Sequence, residues 1–210
     1  MARLLRGSAT VAGEVSQTEL DAFVGTTNIT TLGTVATGNL SNTDIVYPTG
    51  HVLQVVSTCM PDIITSTASG GGFDYFMSLA INPNSTSNKV LVLAAITGGT
   101  QTHSVYYKFQ HNGSGSYADV DGAIGSSTSI GSRIRITGYG VGGTSDNAEM
   151  QTTILCYLDS PSKDSSFTYR VGGSVRAAGT TWTINRPYDD TDATYTGRGV
   201  STLTLMEVKG

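Results

Sequence analysis

From His51 onward, apolar and polar residues alternate with the period of a β-strand. Val52, Gln54 and Val56 alternate with Leu53, Val55 and Ser57, apolar on nearly both sides. Phe73, Tyr75, Met77, Leu79 and Ile81 form the cleanest period-two face, opposite Asp74, Ser78 and Asn82. Lys89-Val-Leu-Val-Leu-Ala-Ala-Ile96 is continuously apolar and predicts a central strand. Leu79 and Leu93 lie on the most apolar faces of these two strands and are expected to be fully buried. Further strands are predicted at about 103–110, 131–138, 149–158, 166–173, 180–186 and 199–208. In the last of them Val200, Thr202, Thr204, Met206 and Val208 face one way, and Ser201, Leu203, Leu205 and Glu207 the other. Apolar side chains on both faces predict a strand covered on both sides.

Turn signals separate these segments: Asn82-Pro83-Asn84-Ser85, Gly98-Gly99, Asn112 to Gly115, Gly140 to Asn147 and Asp159 to Asp164. No helical period follows residue 50, and no internal repeat is visible. Short strands at regular spacing predict an all-β fold, a jelly-roll-like β-sandwich over residues 50–210. Residues 1–49 differ. Ser16-Gln-Thr-Glu19 ahead of Leu20 and Phe23 fits a capping box and predicts a short helix near 16–24. Thr26 to Asn42 is a low-charge run with too few apolar residues for a core of its own. It reads as an extended arm that orders against something else.

Composition adds that the surface is weakly charged. Charged residues make up 13% of the chain and hydrophobic ones 38%, against an average charged fraction near 25%. Ser, Thr, Asn and Gly must cover the surface instead, and such surfaces cost little to desolvate in a subunit contact. The formal net charge is -4 with no run of like charge, which argues against nucleic acid as a partner. No apolar run of about 18 residues is present, so no membrane partner is expected. Met-Ala-Arg-Leu-Leu-Arg-Gly7 has basic residues but no apolar stretch behind them, so no signal peptide is expected. Without an export signal, Cys59 and Cys156 are expected to be buried, reduced thiols, and the sequons at Asn28, Asn39, Asn84 and Asn112 carry no meaning.

Candidate chemistry is sparse. Gly138-Tyr-Gly-Val-Gly-Gly143 has the form of a dinucleotide loop, but a strand follows it instead of a helix, so a hairpin connection is expected. His51, His103 and His111 are scattered and lack metal-ligand spacing. Asp189-Asp-Thr-Asp192 supplies closely spaced oxygens suited to calcium, yet lacks the Gly and distal Glu of a full loop. A turn capped by Asp side chains is the expected role. No cofactor is expected. Tyr106, Tyr139, Tyr157, Tyr188 and Tyr195 with Trp182 are candidates for a sugar-binding surface, with half-buried strand aromatics as the plainer reading. Arg133 and Arg135 share one face of a predicted strand, with Lys108 on a similar one. Their expected role is pairing with Asp across a subunit contact.

Five segments in order carry a resemblance: Gly50-His-Val-Leu-Gln-Val-Val56, Ile81-Asn-Pro-Asn-Ser-Thr-Ser-Asn-Lys-Val-Leu-Val92, Tyr157-Leu-Asp-Ser-Pro161, Ile184-Asn-Arg186, and the closing Arg198 to Val208. Together they resemble a family of bacteriophage virion proteins found in marine and cyanobacterial phages, usually as the C-terminal part of tail-fibre-like proteins. Ile29-Thr-Thr-Leu-Gly-Thr-Val35 is similar to the low-charge linkers ahead of such domains. The chain lacks a long repetitive shaft, so the resemblance implies a short spike, a capsid decoration or an adaptor. It also implies a non-enzymatic homotrimer located in the virion and assembled in the host cytoplasm. Residues 1–49 are then expected to dock on other virion proteins of the capsid or tail. Leu4, Leu5, Leu20, Phe23 and Ile29 would serve as anchors, with Arg3 and Arg6 meeting acidic groups. A host-surface glycan-binding adhesin is the alternative, and a polysaccharide depolymerase a distant third.

Overall fold

The computed structural model describes residues 46–128, 130–140 and 147–210. The chain divides between Val46 and Tyr47, and the unit from Tyr47 to Gly210 is the one described. Its strands are β1 (Val52–Met60), β2 (Ile64–Ser66), β3 (Asp74–Ile81), β4 (Lys89–Thr100), β5 (Val105–His111), β6 (Ala118–Asp119), β7 (Gly138–Gly140), β8 (Gln151–Asp159), β9 (Phe167–Val175), β10 (Trp182–Ile184) and β11 (Ser201–Val208).

Every ladder is antiparallel. A long sheet runs β1-β11-β4-β8, with β10 and β2 extending it beside the far end of β4. A short sheet runs β3-β9-β5, and β5 carries β7 and β6 along its other edge. Leaving aside β2, β6 and β10, the other eight strands divide four and four, β1, β11, β4 and β8 in the long sheet and β3, β9, β5 and β7 in the short one. That order is the jelly roll, and the fold is an all-β two-sheet sandwich.

The core lies between the sheets. Val90, Val92, Ala94 and Ile96 of β4, Leu203 and Leu205 of β11, and Trp182 and Ile184 of β10 have no solvent exposure. Phe109, Tyr169, Val171 and Val175 of the short sheet meet them and are equally buried. Each such Val, Leu, Ile or Phe side chain contributes about 1.5–3 kcal/mol by leaving water.

Neither Leu79 nor Leu93 is fully buried. In β4 the even-numbered residues face inward, so Leu91, Leu93 and Ala95 face out. Leu79 packs against the core, but β3 is an edge strand and leaves it partly exposed. The period-two face of β3 is also broken. Tyr75 lies opposite Gly172 and Met77 opposite Val171, so Phe76 is an extra residue in the ladder. Phe76 turns inward and makes edge-on contacts with Trp182 (6.1 Å) and Tyr107 (6.5 Å). Tyr75 is thereby released to the outer face.

The closing strand is covered on one side among the described residues. Ser201, Leu203, Leu205 and Glu207 have no exposure, whereas Thr202, Thr204, Met206 and Val208 are half-buried. These outward residues belong to three rows that cross the long sheet. Val55, Met206, Leu91 and Leu158 make the first; Ser57, Thr204, Leu93 and Cys156 the second; Cys59, Thr202, Ala95 and Ile154 the third.

The strand expected at 131–138 begins only at Gly138. Before it, Ile136 accepts from the Gly125 N–H (3.2 Å) and Arg135 Nε donates to Gly125 O (2.6 Å). The segment is therefore held by the loop after a short 3-10 turn (Asp121–Ala123) and reaches β5 only at Thr137, whose N–H donates to Tyr107 O (2.8 Å).

Candidate functional site

Arg3, Leu4, Leu5, Arg6, Leu20, Phe23, Ile29 and the helix expected near 16–24 lie outside the described residues. Among the described residues, the polar side chains of the five resembling segments come together in three clusters. Glu207, fully buried on β11, accepts from Gln54 Nε2 (2.6 Å), from the Asn84 N–H (2.7 Å) and from Asn88 Nδ2. The first, second and fifth segments thus close on a single carboxylate.

Asn185 sits at the second cluster with a left-handed backbone (φ 62), a conformation Asn tolerates better than most residues. Its Nδ2 donates to Met60 O (2.6 Å) and Asp62 O (2.9 Å), and its Oδ1 accepts from Ser201 Oγ (2.8 Å). In the third cluster Asp159 accepts from the Tyr169 hydroxyl (2.6 Å) and the Ser160 N–H (2.9 Å). Burial, and then the Asp159 carboxylate beside it, push the Tyr169 phenol well above its ordinary range. These groups are occupied by one another. They hold strands together.

A site for a partner molecule is better sought on the outer face of the short sheet. There a Cβ on Gly172 would lie 2.7 Å from the Tyr75 ring, so only glycine lets the ring lie over β9. The Arg170 guanidinium is sandwiched between the rings of Tyr75 (3.6 Å) and Tyr117 (3.7 Å). Arg170 Nε and Nη2 donate to Gln110 Oε1 (3.1 and 2.6 Å), and Gln110 Nε2 donates to Asp119 Oδ1 (2.9 Å). Lys108 Nζ reaches Asp119 Oδ2 (3.1 Å) and lies 4.5 Å from the Phe73 ring centre. Burial raises the Tyr75 phenol, and the Arg170 charge partly offsets it. A depression of about 210 Å³ lies against Tyr75, Tyr117 and Arg170.

Tyr106 and Tyr139 are direct cross-strand partners on β5 and β7. With Ser104, Ser132, Ile134, Arg133 and Arg176 they line an open cleft of about 650 Å³. Flat rings beside serine hydroxyls and guanidinium groups suit a ligand with both apolar faces and hydroxyl edges, such as a sugar.

Of the six candidate aromatics, the structure therefore joins Tyr106 and Tyr139. Trp182 is fully buried, with its Nε1 donating to Ala68 O (3.2 Å), and Tyr157 packs against the core. Tyr188 and Tyr195 belong to the loop between β10 and β11, where Tyr195 is exposed. Tyr75, Tyr117 and Arg170 were missed because the bulge that turns Tyr75 outward leaves no mark in the spacing.

The remaining candidates resolve locally. Arg135 pairs with Asp121 (3.3 Å) and Lys108 with Asp119, so within the chain these cations already meet acids. Asp190 is held by both Nη atoms of Arg198 and lies 3.6 Å from Arg186, a surrounding that repels a cation. Asp189 accepts from the Thr191 hydroxyl (3.4 Å), which closes a turn. Among the described residues no three His, Cys, Asp or Glu side chains are grouped to hold a metal. Gly138 and Gly140 belong to β7, and the rest of that glycine run lies outside the described residues. Cys59 and Cys156 are free, but both are exposed instead of buried. They occupy odd and even positions that face outward on β1 and β8.

No protein-family model and no curated protein matches the chain. Among solved structures, infectious bursal disease virus, Gt strain, is similar at 11% identity and a TM-score of 0.36, over 83% of this chain and 46% of that one. The infectious bursal disease virus VP2 subviral particle is similar at 12% identity and a TM-score of 0.32, over 74% and 37%. The chain spans less than half the length of either. Likeness at this level carries no functional assignment.

Proposed function

We propose that the protein is a structural component of a bacteriophage particle and turns over no substrate. Residues 1–49 attach it to other virion proteins, and the jelly roll projects as a trimeric short fibre, spike or capsid decoration. The observation that carries this reading is the use made of the resembling segments. Gln54, Asn84, Asn88, Asp159, Asn185 and Glu207 all serve the architecture of the sandwich. The resemblance to phage virion proteins is thus supported by residues that build a fold, not by residues that would do chemistry. Immuno-electron microscopy with antibodies to the β domain tests it. Gold at the capsid or tail of intact particles is expected, and unlabelled particles beside labelled host cytoplasm would overturn it.

A second reading, a host-surface glycan adhesin, is favoured by Tyr106, Tyr139 and the Tyr75–Arg170–Tyr117 stack sharing one face. Glycan-array binding that is lost in Tyr139→Ala, an exposed position, would establish it. A blank array would remove it.

A further inference from the structure

We infer that the outer face of the long sheet is where copies of this chain meet. None of the twelve outward residues in its three rows is charged. Ile154 is 60% exposed, Val55 55% and Leu158 43%, and Leu91, Leu93 and Met206 fill the ground between them. A face of this kind offers a charged partner nothing to pair with. It can meet its own copy with no like-charge penalty, which a charged face cannot do.

The dimensions agree. Four strands at ~4.8 Å spacing and about eight residues at ~3.4 Å each give a patch of roughly 19 by 27 Å, with Lys89 at its rim beyond the three uncharged rows. That is about 500 Å² per copy before the corrugation of side chains is added, or about 1,000 Å² for a pair, where specific contacts begin. Both free cysteines lie on this face, at its opposite edges on β1 and β8. Free cysteine is among the residue types most often buried. Two exposed thiols on one uncharged face fit a surface that is covered in the assembled protein. The inference stands apart from the location of the protein in a virion.

The test uses the full chain at about 10 μM. Sedimentation should give a multiple of the 21.9 kDa chain mass, and a maleimide should label Cys59 and Cys156 slowly. Ile154→Lys, at a position already open to water, should sediment as a single chain with an unchanged circular-dichroism spectrum. Both thiols should then react at least tenfold faster. Val55→Lys, on the opposite edge strand, should do the same, so failure of one variant to fold leaves the test intact. Ser78→Lys, exposed on the other sheet, should keep the mass and the shielding. A wild-type chain that sediments as a monomer overturns the inference, even with shielded thiols, since another segment would then cover the face. Unchanged mass in both lysine variants also overturns it.

Discussion

Replacing Glu207 by Gln changes one atom and no volume. The carboxylate is fully buried, with Oε1 accepting from the Asn84 N–H and Asn88 Nδ2, and Oε2 from Gln54 Nε2. A glutamine can keep its oxygen toward Asn84 and Asn88. Its amide group then faces the Gln54 amide, donor against donor. Gln54 cannot simply turn over, because its Nε2 also donates to Asn82 O at 2.7 Å. One buried donor is therefore left without a partner, at about 1–3 kcal/mol, and the two surviving bonds lose their charge assistance. The expected total is about 2–4 kcal/mol. At about 2–4 °C per kcal/mol for a domain of this size, Tm should fall by roughly 5–15 °C. Thermal and urea denaturation measure this, at one protein concentration so that assembly contributes equally to both proteins. A loss under about 0.5 kcal/mol would refute the view that this carboxylate ties the first, second and last strand segments together.

Three further outcomes are expected. Gly173→Ala should cost about 1–3 kcal/mol by overpacking, since its Cβ would stand 2.7 Å from the buried Trp182 ring. Gly172→Ala should mainly displace the outward Tyr75, and a larger loss there than at Gly173 in denaturation would contradict the assignment of the two faces. Asp190 is held below the ordinary carboxylate range by its bond to Arg198, so its contribution is full above about pH 3.9 and disappears as pH falls through the lowered value. The Arg198 side-chain N–H signals should therefore persist in NMR spectra from pH 7 to about 4, and Asp190→Asn should remove them at neutral pH. A chain beginning at Tyr47, which keeps the Tyr47–His51 stack, should fold as a soluble β-rich domain yet fail to join virions in complementation. Truncated protein found in particles would place attachment in the β domain.

Much of the fold was legible because turn residues and strand periods are local. Gly98-Gly99 and Asn112 to Gly115 were expected as breaks between strands. The outcome is mixed: Gly98 and Gly99 lie within β4, where the β10 and loop backbones approach too closely for a side chain. Asn112 to Gly115 does form a turn after β5. Which face of β4 turns inward was not legible, since Val90, Val92 and Ala94 alternate with Leu91, Leu93 and Ala95, apolar on both sides. Only the neighbouring strands decide it. The same holds for the thiols, whose exposure depends on the parity of β1 and β8. The bulge at Phe76 shifts Tyr75 outward and creates the Arg170 stack, and no spacing rule announces it. The Gln54–Glu207 contact joins residues from opposite ends of the domain, a pairing that topology alone produces.

The most direct measurement is the copy number of this chain in gradient-purified particles, by quantitative mass spectrometry against a major capsid protein. The structural reading predicts a fixed number per particle, in a multiple of three and unchanged by a salt wash. Its absence from particles that remain infectious, or a trace amount that washes away, would contradict it.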